Sequence, residues 1–402
     1  MNALEGIRIV SFNHFLAGPA AAQLLGDLGA DIIAVEPLEG AFQRNWGVAG
    51  HFVDGQSVNH ISTGRNKRSI AVDMKSPEGK ALIHRLLEGA DVVMENFRPG
   101  ALARLGFGAE ELAARYPRLI YAAATGFGAT GPYAHRPGQD LLLQAMSGLA
   151  AHTGRADGPP TPVGSVVIDQ HAAALYAMGI LAALLRRGRT GKGGRVDVSL
   201  LQAAIDLQGE SITAWLNGAP HSSPRGPGGV ASWFSAGGYG IHRTVDGHVA
   251  VSMSPPAELG KALGVDALSR IPEADAFTRR EEITAHVSAA IAPLTTAQAT
   301  SALDAANIWN AVVEDYDDLP NNPQLQHLET FRTMEGATGA PVTMVAHPVR
   351  YDGEAPPIAR PPQLLGAQTR EILAEAGFGS EEIEKLVADG IVRCAQAKGD
   401  AA

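Results

Sequence analysis

Asp169 is the only acid in VGSVVIDQHAAALYAMGILAALLRR, residues 163–187, where an apolar run passes straight into an apolar helical pattern. Two roles are open to such a carboxylate. Asp is a good helix N-cap, accepting orphan backbone N–H groups of the first turn. It can also be a nucleophile. The macrodipole and free N–H donors at a helix start favour the ionised form, while apolar neighbours strip its water and raise its pKa. A poorly hydrated, ionised carboxylate attacks an activated acyl group and forms an anhydride. That anhydride survives only where water is excluded. The residues alone leave both roles open.

The elements that must hold Asp169 alternate. Within 7–37, IRIVSF reads as a strand, AGPAAAQLLGDLGA as a helix and DIIAVEP as a second strand. SPEGKALIHRLLEGA follows the same logic, with Ser76 as N-cap and Pro77 at the first helical position. DVVMENF, AEELAARYP and RLIYAAA continue the pattern. Such alternation implies a parallel sheet with helices on both faces. Helices are expected at 138–150 and 170–187, then a strand near RVDVSL. Composition changes near 218, where NGAPHSSPRGPGGVASWFSAGGYG is rich in Gly, Pro and Ser. Shorter elements and clustered acids over 240–330 place a smaller domain there, and strand-like segments return after about 335.

Totals narrow the function. A chain of 402 residues is too long for one ordinary core. A formal charge of −10 argues against nucleic acid as the partner. The single Cys394 permits no intrachain disulfide, and MNALEGIRIVSFNH lacks a signal-peptide pattern, so a cytoplasmic protein is expected. The apolar stretch Ala172–Leu185 reads as too short for a bilayer. His135, His171 and His221 have no ligand-like spacing, so no metal is expected. Glu36 ends the second strand where a ribose-binding acid would sit, but NHFLAGPAAAQ lacks G-x-G-x-x-G, which disfavours a dinucleotide.

SFNHFLAGPAAAQLLGDLGADIIAVEP, GRNKRSIAVDMKSPEGK, VVMENFRPGALARLGFG, the Asp169 segment and RPPQLLGAQTREILAEAGF together resemble the class III CoA-transferase family over nearly the whole chain. The resemblance implies an open, Rossmann-like large α/β domain built from both chain ends (1–217 and 334–402), a linker and smaller inserted α+β domain at 218–333, and an interlocked homodimer of ring-like subunits. It implies that Asp169 attacks an acyl-CoA thioester, with CoA and a carboxylic acid as substrates and no tightly bound cofactor. It also implies CoA contacts, position by position. His14, Phe15, Leu16 and Ala17 match the loop after the first strand, and Val72, Asp73, Met74 and Lys75 match the adenine and phosphate end. Asn96, Phe97 and Arg98 match the next loop, Arg104 a nucleotide contact, and Arg136 lies in a loop near the thioester. Lys75, Arg98 and Arg104 would supply cations for phosphates within an acidic whole.

Three departures bear on the reaction. Leu16 stands where the family's oxalate enzyme has a glutamine that holds the acyl group. Leucine offers no hydrogen bond, so a larger or more apolar acyl group is expected. The four-glycine lid of that enzyme is missing, leaving Gly228 and Gly229 in PRGPGGVASWF as candidates for a shorter lid. Racemases of the same fold pair a Gly-His-Asp histidine with the aspartate. Here the triplet is Gly138-Gln139-Asp140, and glutamine is no base. Asp140 could assist Asp169 or cap the helix that follows it. Transfer of CoA is thus the expected activity, with α-proton transfer or an inactive CoA-binding homologue as alternatives.

Overall fold

The computed structural model describes residues 2–221 and 223–395, which form two compact units. The first takes the chain up to Leu143, Val166–Ala204, and from Pro323 onward; the second takes Gln144–Ser165 and Ile205–Asn322. The units divide the chain differently from the expected boundaries: 144–165 and 205–217 lie in the second unit, and 323–333 in the first.

The first unit is built on a sheet whose parallel strands are β1 (Arg8–Phe12), β2 (Asp31–Glu36), β3 (Lys67–Val72), β4 (Val92–Glu95), β5 (Ile120–Thr125) and β6 (Gly194–Ser199). Their spatial order is β3-β2-β1-β4-β5-β6, with Val392–Arg393 antiparallel on the β3 edge. β1–β5 are almost wholly buried, as two-sided coverage requires, and are mainly apolar, the main exception being Lys67, Arg68 and Ser69 at the start of β3. Alternate residues feed two cores. Val10, Phe12, Ile33, Ile70 and Val93 pack on one face; Ile9, Ile32, Val92, Met94 and Ile120 pack on the other. The strand order reverses between β1 and β4, so the loops after these two strands flank the crevice at the switch point.

The helices are α1 (Ala17–Asp27), α2 (Pro77–Glu88), α3 (Asp140–Met146) and α4 (Val167–Thr190). α2 starts as expected: Ser76 Oγ accepts from Gly79 N–H at 3.0 Å, with Pro77 at the first position. The expected helix at 138–150 is broken after Met146, because Gly148 takes φ 87°; a separate turn, Leu149–His152, follows. α4 has 24 residues and is longer than expected; by length and composition alone it could cross a membrane. It packs instead against α1, β5 and β6, burying Ile168, Ala173, Tyr176 and Ile180. Glu36 is not free for a ribose. Arg44 clamps its carboxylate at 2.5 and 2.7 Å, and Ser69 Oγ donates at 2.9 Å.

In the second unit, Gly240–Arg243, His248–Val251 and Asn310–Val312 form an antiparallel sheet. Helices Pro256–Leu263, Arg280–Ile291 and Thr296–Ala305 supply Leu259, Ile283, Val287 and Leu303 to its core with Val249 and Val251.

Candidate active site

α4 begins without a capping side chain of its own: its N-cap is Val166. The cap comes from α3. Asp140 Oδ2 accepts the N–H groups of Ile168 at 2.8 Å and Asp169 at 3.0 Å. Two corrections follow. Asp169 is not the N-cap but the third residue of the helix. Asp140, itself buried, does not reserve its carboxylate for its own helix; it caps the one that carries Asp169.

This arrangement sets the electrostatics. Two of the free N–H groups of the first turn, those of Ile168 and Asp169, are taken by Asp140. Among the described residues nothing donates a hydrogen bond to the Asp169 side chain. Burial first, and the neighbouring Asp140 charge second, push Asp169 up to about 7. Asp169 is thus a poorly solvated carboxylate, partly ionised near neutrality, at a positive helix terminus.

The loops named in the resemblance all leave the C-terminal edge of the same sheet. After β1, His14 and Asn96 are locked reciprocally: His14 N–H donates to Asn96 Oδ1 at 2.8 Å, and Asn96 Nδ2 donates to His14 O at 2.8 Å. The latch spans the switch point, joining the loops after β1 and β4. The next residue, Phe15, takes φ 58°, a left-handed conformation costly for a bulky side chain. Gln43 Oε1 accepts the Phe15 N–H at 3.1 Å and helps hold that turn. The His14 ring lies 4.6 Å from Phe15 and 5.0 Å, edge-on, from Phe97; burial pushes its pKa down. Leu16 is half-buried, and Ala17 opens α1.

Val72 ends β3 in the core, with Asp73, Met74 and Lys75 turning into α2. Asp73 Oδ1 accepts the Lys75 N–H at 3.0 Å. A Cβ at Gly79 would stand 2.0 Å from Asp73 O, so only glycine permits this tight approach. Lys75, Arg98 and Arg104 are exposed and have no ion-pair partner among the described residues. Arg136 lies over the Tyr133 ring at 4.8 Å. Gln139 is exposed beside Asp140. Gly228 and Gly229 belong to the second unit, in a turn with φ 61° and 95°.

Sequence reasoning missed a buried carboxylate beneath the loop Asn96–Arg98. Glu95 ends β4; its Oε2 accepts the Phe97 N–H at 2.9 Å and its Oε1 the Tyr121 hydroxyl at 3.1 Å. Tyr176 Oη takes the Glu95 N–H at 3.2 Å and donates towards Ala122 O at 2.5 Å. An acid closing the apolar run VVME was the signal available.

The arrangement sets three exposed cations on connections at one sheet edge and a partly buried carboxylate at the start of α4, a layout suited to a phosphorylated ligand. Comparison with known proteins bears on which ligand. A family model described as CoA-transferase family III matches residues 4–369. Succinyl-CoA:glutarate CoA-transferase of Mus musculus is 33% identical over 406 aligned residues, covering 98% of this chain and 91% of the mouse protein. Succinate–glutarate CoA-transferase of Agrobacterium fabrum is 34% identical over 400, covering 92% and 95%. Among solved structures, a CaiB/BaiF family protein of Brucella suis superposes with TM-score 0.81 at 29% identity, covering 93% of this chain and 99% of that one. With the family model spanning most of the sequence, this chain belongs to CoA-transferase family III and is an enzyme of that class.

Proposed function

We propose that the enzyme moves CoA between an acyl-CoA thioester and a carboxylic acid, with Asp169 as the covalent nucleophile. The observation that carries this reading is the Asp169 carboxylate: partly buried at the start of α4, without a hydrogen-bond donor among the described residues, and raised to about 7. An ionised oxygen in that state is reactive because little solvation must be lost on attack. In the first step an Asp169 oxygen adds to the thioester carbonyl, the C–S bond breaks, and a mixed anhydride and CoA thiolate form. The thiolate then attacks the aspartyl carbonyl, giving an aspartyl-CoA thioester and releasing the donor acid. The acceptor carboxylate attacks that thioester, forming a second anhydride and freeing the thiolate. Thiolate attack on the acceptor acyl carbon completes the product and restores Asp169.

In this reading Lys75, Arg98 and Arg104 hold the phosphates, and the loops 14–17, 72–75 and 96–98 hold CoA. Arg136 sits near the thioester and Gln139 leaves the α-proton untouched. Leu16 favours an acyl group longer than oxalate's, which accords with relatives named for succinate and glutarate. The working form is an interlocked cytoplasmic homodimer, as the family resemblance implies. Incubation with an acyl-CoA and hydroxylamine should leave a hydroxamate on the Asp169 peptide, read by mass spectrometry. Full activity in Asp169→Ala would overturn the reading.

A further inference from the structure

We infer that Glu95 is a positioning residue: its carboxylate, shared between Phe97 and Tyr121, sets the loop Asn96–Arg98 for CoA, and Tyr176 ties that setting to the helix bearing Asp169. The inference rests on the reading of this loop as a CoA contact. Glu95 is 6% exposed, yet no cation forms an ion pair with it among the described residues. Its acceptors are filled by neutral donors alone, the Phe97 N–H and the Tyr121 hydroxyl. A buried acid held this way is costly compared with an amide or an apolar residue of similar size. What the acid adds is geometry. An ionised carboxylate is acceptor-only and can take both donors at once. Once protonated, its neutral oxygens accept more weakly than a carboxylate's and its new O–H must itself find an acceptor, so the Phe97 bond weakens and the Tyr121 bond weakens or reverses.

The consequence reaches both sides of the site. Phe97 meets the His14 ring, and Asn96 is latched to the His14 backbone, so the loop after β1 follows the loop after β4. Tyr176 lies two helical turns after Asp169 on the same face of α4, and its hydroxyl bonds the backbone of Glu95 and Ala122. The titratable and charged groups facing Glu95 are few. Tyr121 comes from β5, Tyr176 from α4, and Arg195 and Asp197 from β6, the last two paired with each other at 2.8 Å. Burial, opposed by the Phe97 and Tyr121 bonds, pushes Glu95 up to about 7, so the exchange between its two forms falls near neutrality.

The test measures CoA affinity by calorimetry at about pH 6 and about pH 8, in an Asp169→Asn background so that the nucleophile does not titrate. With Glu95 present, acidification should weaken CoA binding up to about tenfold, because the ordered form falls from most to a small fraction of the population. CoA's own phosphate titrates equally in every variant. In Glu95→Gln that extra loss should vanish. Tyr121→Phe removes one donor to the ionised form and should move the loss to higher pH; it decides the matter if Glu95→Gln does not fold. Identical pH dependence in the Glu95 and variant proteins overturns the inference. Arg98→Ala reports separately on the loop: unchanged CoA affinity there overturns the reading beneath the inference as well.

Discussion

Glu36, fully buried, and Asp169, partly buried, lie in the same α/β unit, and their surroundings drive them in opposite directions. Burial alone would push both up. At Glu36, the Arg44 charge at 2.5 Å, with bonds from Ala41 and Ser69, reverses the effect and holds the carboxyl below its usual range. At Asp169 no cation answers; the nearest charge is another acid, and the carboxyl rises to about 7. The partner, not burial, separates a carboxylate that holds the fold together from one that can do chemistry. Glu36 fastens the strand end at the place where a dinucleotide fold would use it. Asp169 is left underemployed at a helix start.

The sharpest way to break the comparison is to remove each acid's defining feature. Asp169→Ala should cut kcat by about 10⁴-fold or more, as loss of a covalent nucleophile does, while unfolding by urea stays cooperative. Arg44→Met strands Glu36 as an unpaired buried charge; it should cost about 3–5 kcal/mol in urea unfolding. A loss no larger than that of a surface substitution would show that the pair does not act as described.

Asp140→Asn probes the like charge while keeping an oxygen to cap α4. The acid limb of the pH–rate profile should move down by about one pH unit, since Asp169 no longer faces a second charge. In the wild type that limb follows the ionised fraction of Asp169, so the rate falls as pH drops through about 7. The smallest effect is on stability. A folded-state pKa raised above the ordinary value means that the fold prefers protonated Asp169. That contribution is present in acid, below the usual carboxylate range, and is lost as pH rises through about 7. Asp169→Asn should therefore stabilise by about 1 kcal/mol at pH ~8 and by little at pH ~4, read as the difference between thermal melts.

Much of the fold was legible because it is local. Apolar strands alternating with capped helices announce a parallel sheet, and Ser76-Pro77 marks a helix start that the structure keeps. The loops of the candidate site follow from motifs that sit at strand ends. The start of α4 was not legible: Val166 and Val167 carry no capping signal, and the cap arrives from Asp140, 29 residues before Asp169. The His14–Asn96 latch joins residues 82 apart and exists only once β1 and β4 are neighbours. Glu95 was passed over because an acid at a strand end ordinarily meets water, and only the packing of Tyr121 and Tyr176 removes it.

The central claim is that Asp169 exchanges one carboxylate oxygen in every turnover: one leaves with the donor acid, and one arrives from the acceptor. An acceptor acid labelled with heavy oxygen in its carboxylate tests this directly. After a single turnover the peptide containing Asp169 should be heavier by the difference between one heavy and one ordinary oxygen, because the acceptor's oxygen replaces the one that left with the donor acid. Product formation with the Asp169 peptide still unlabelled would contradict the account.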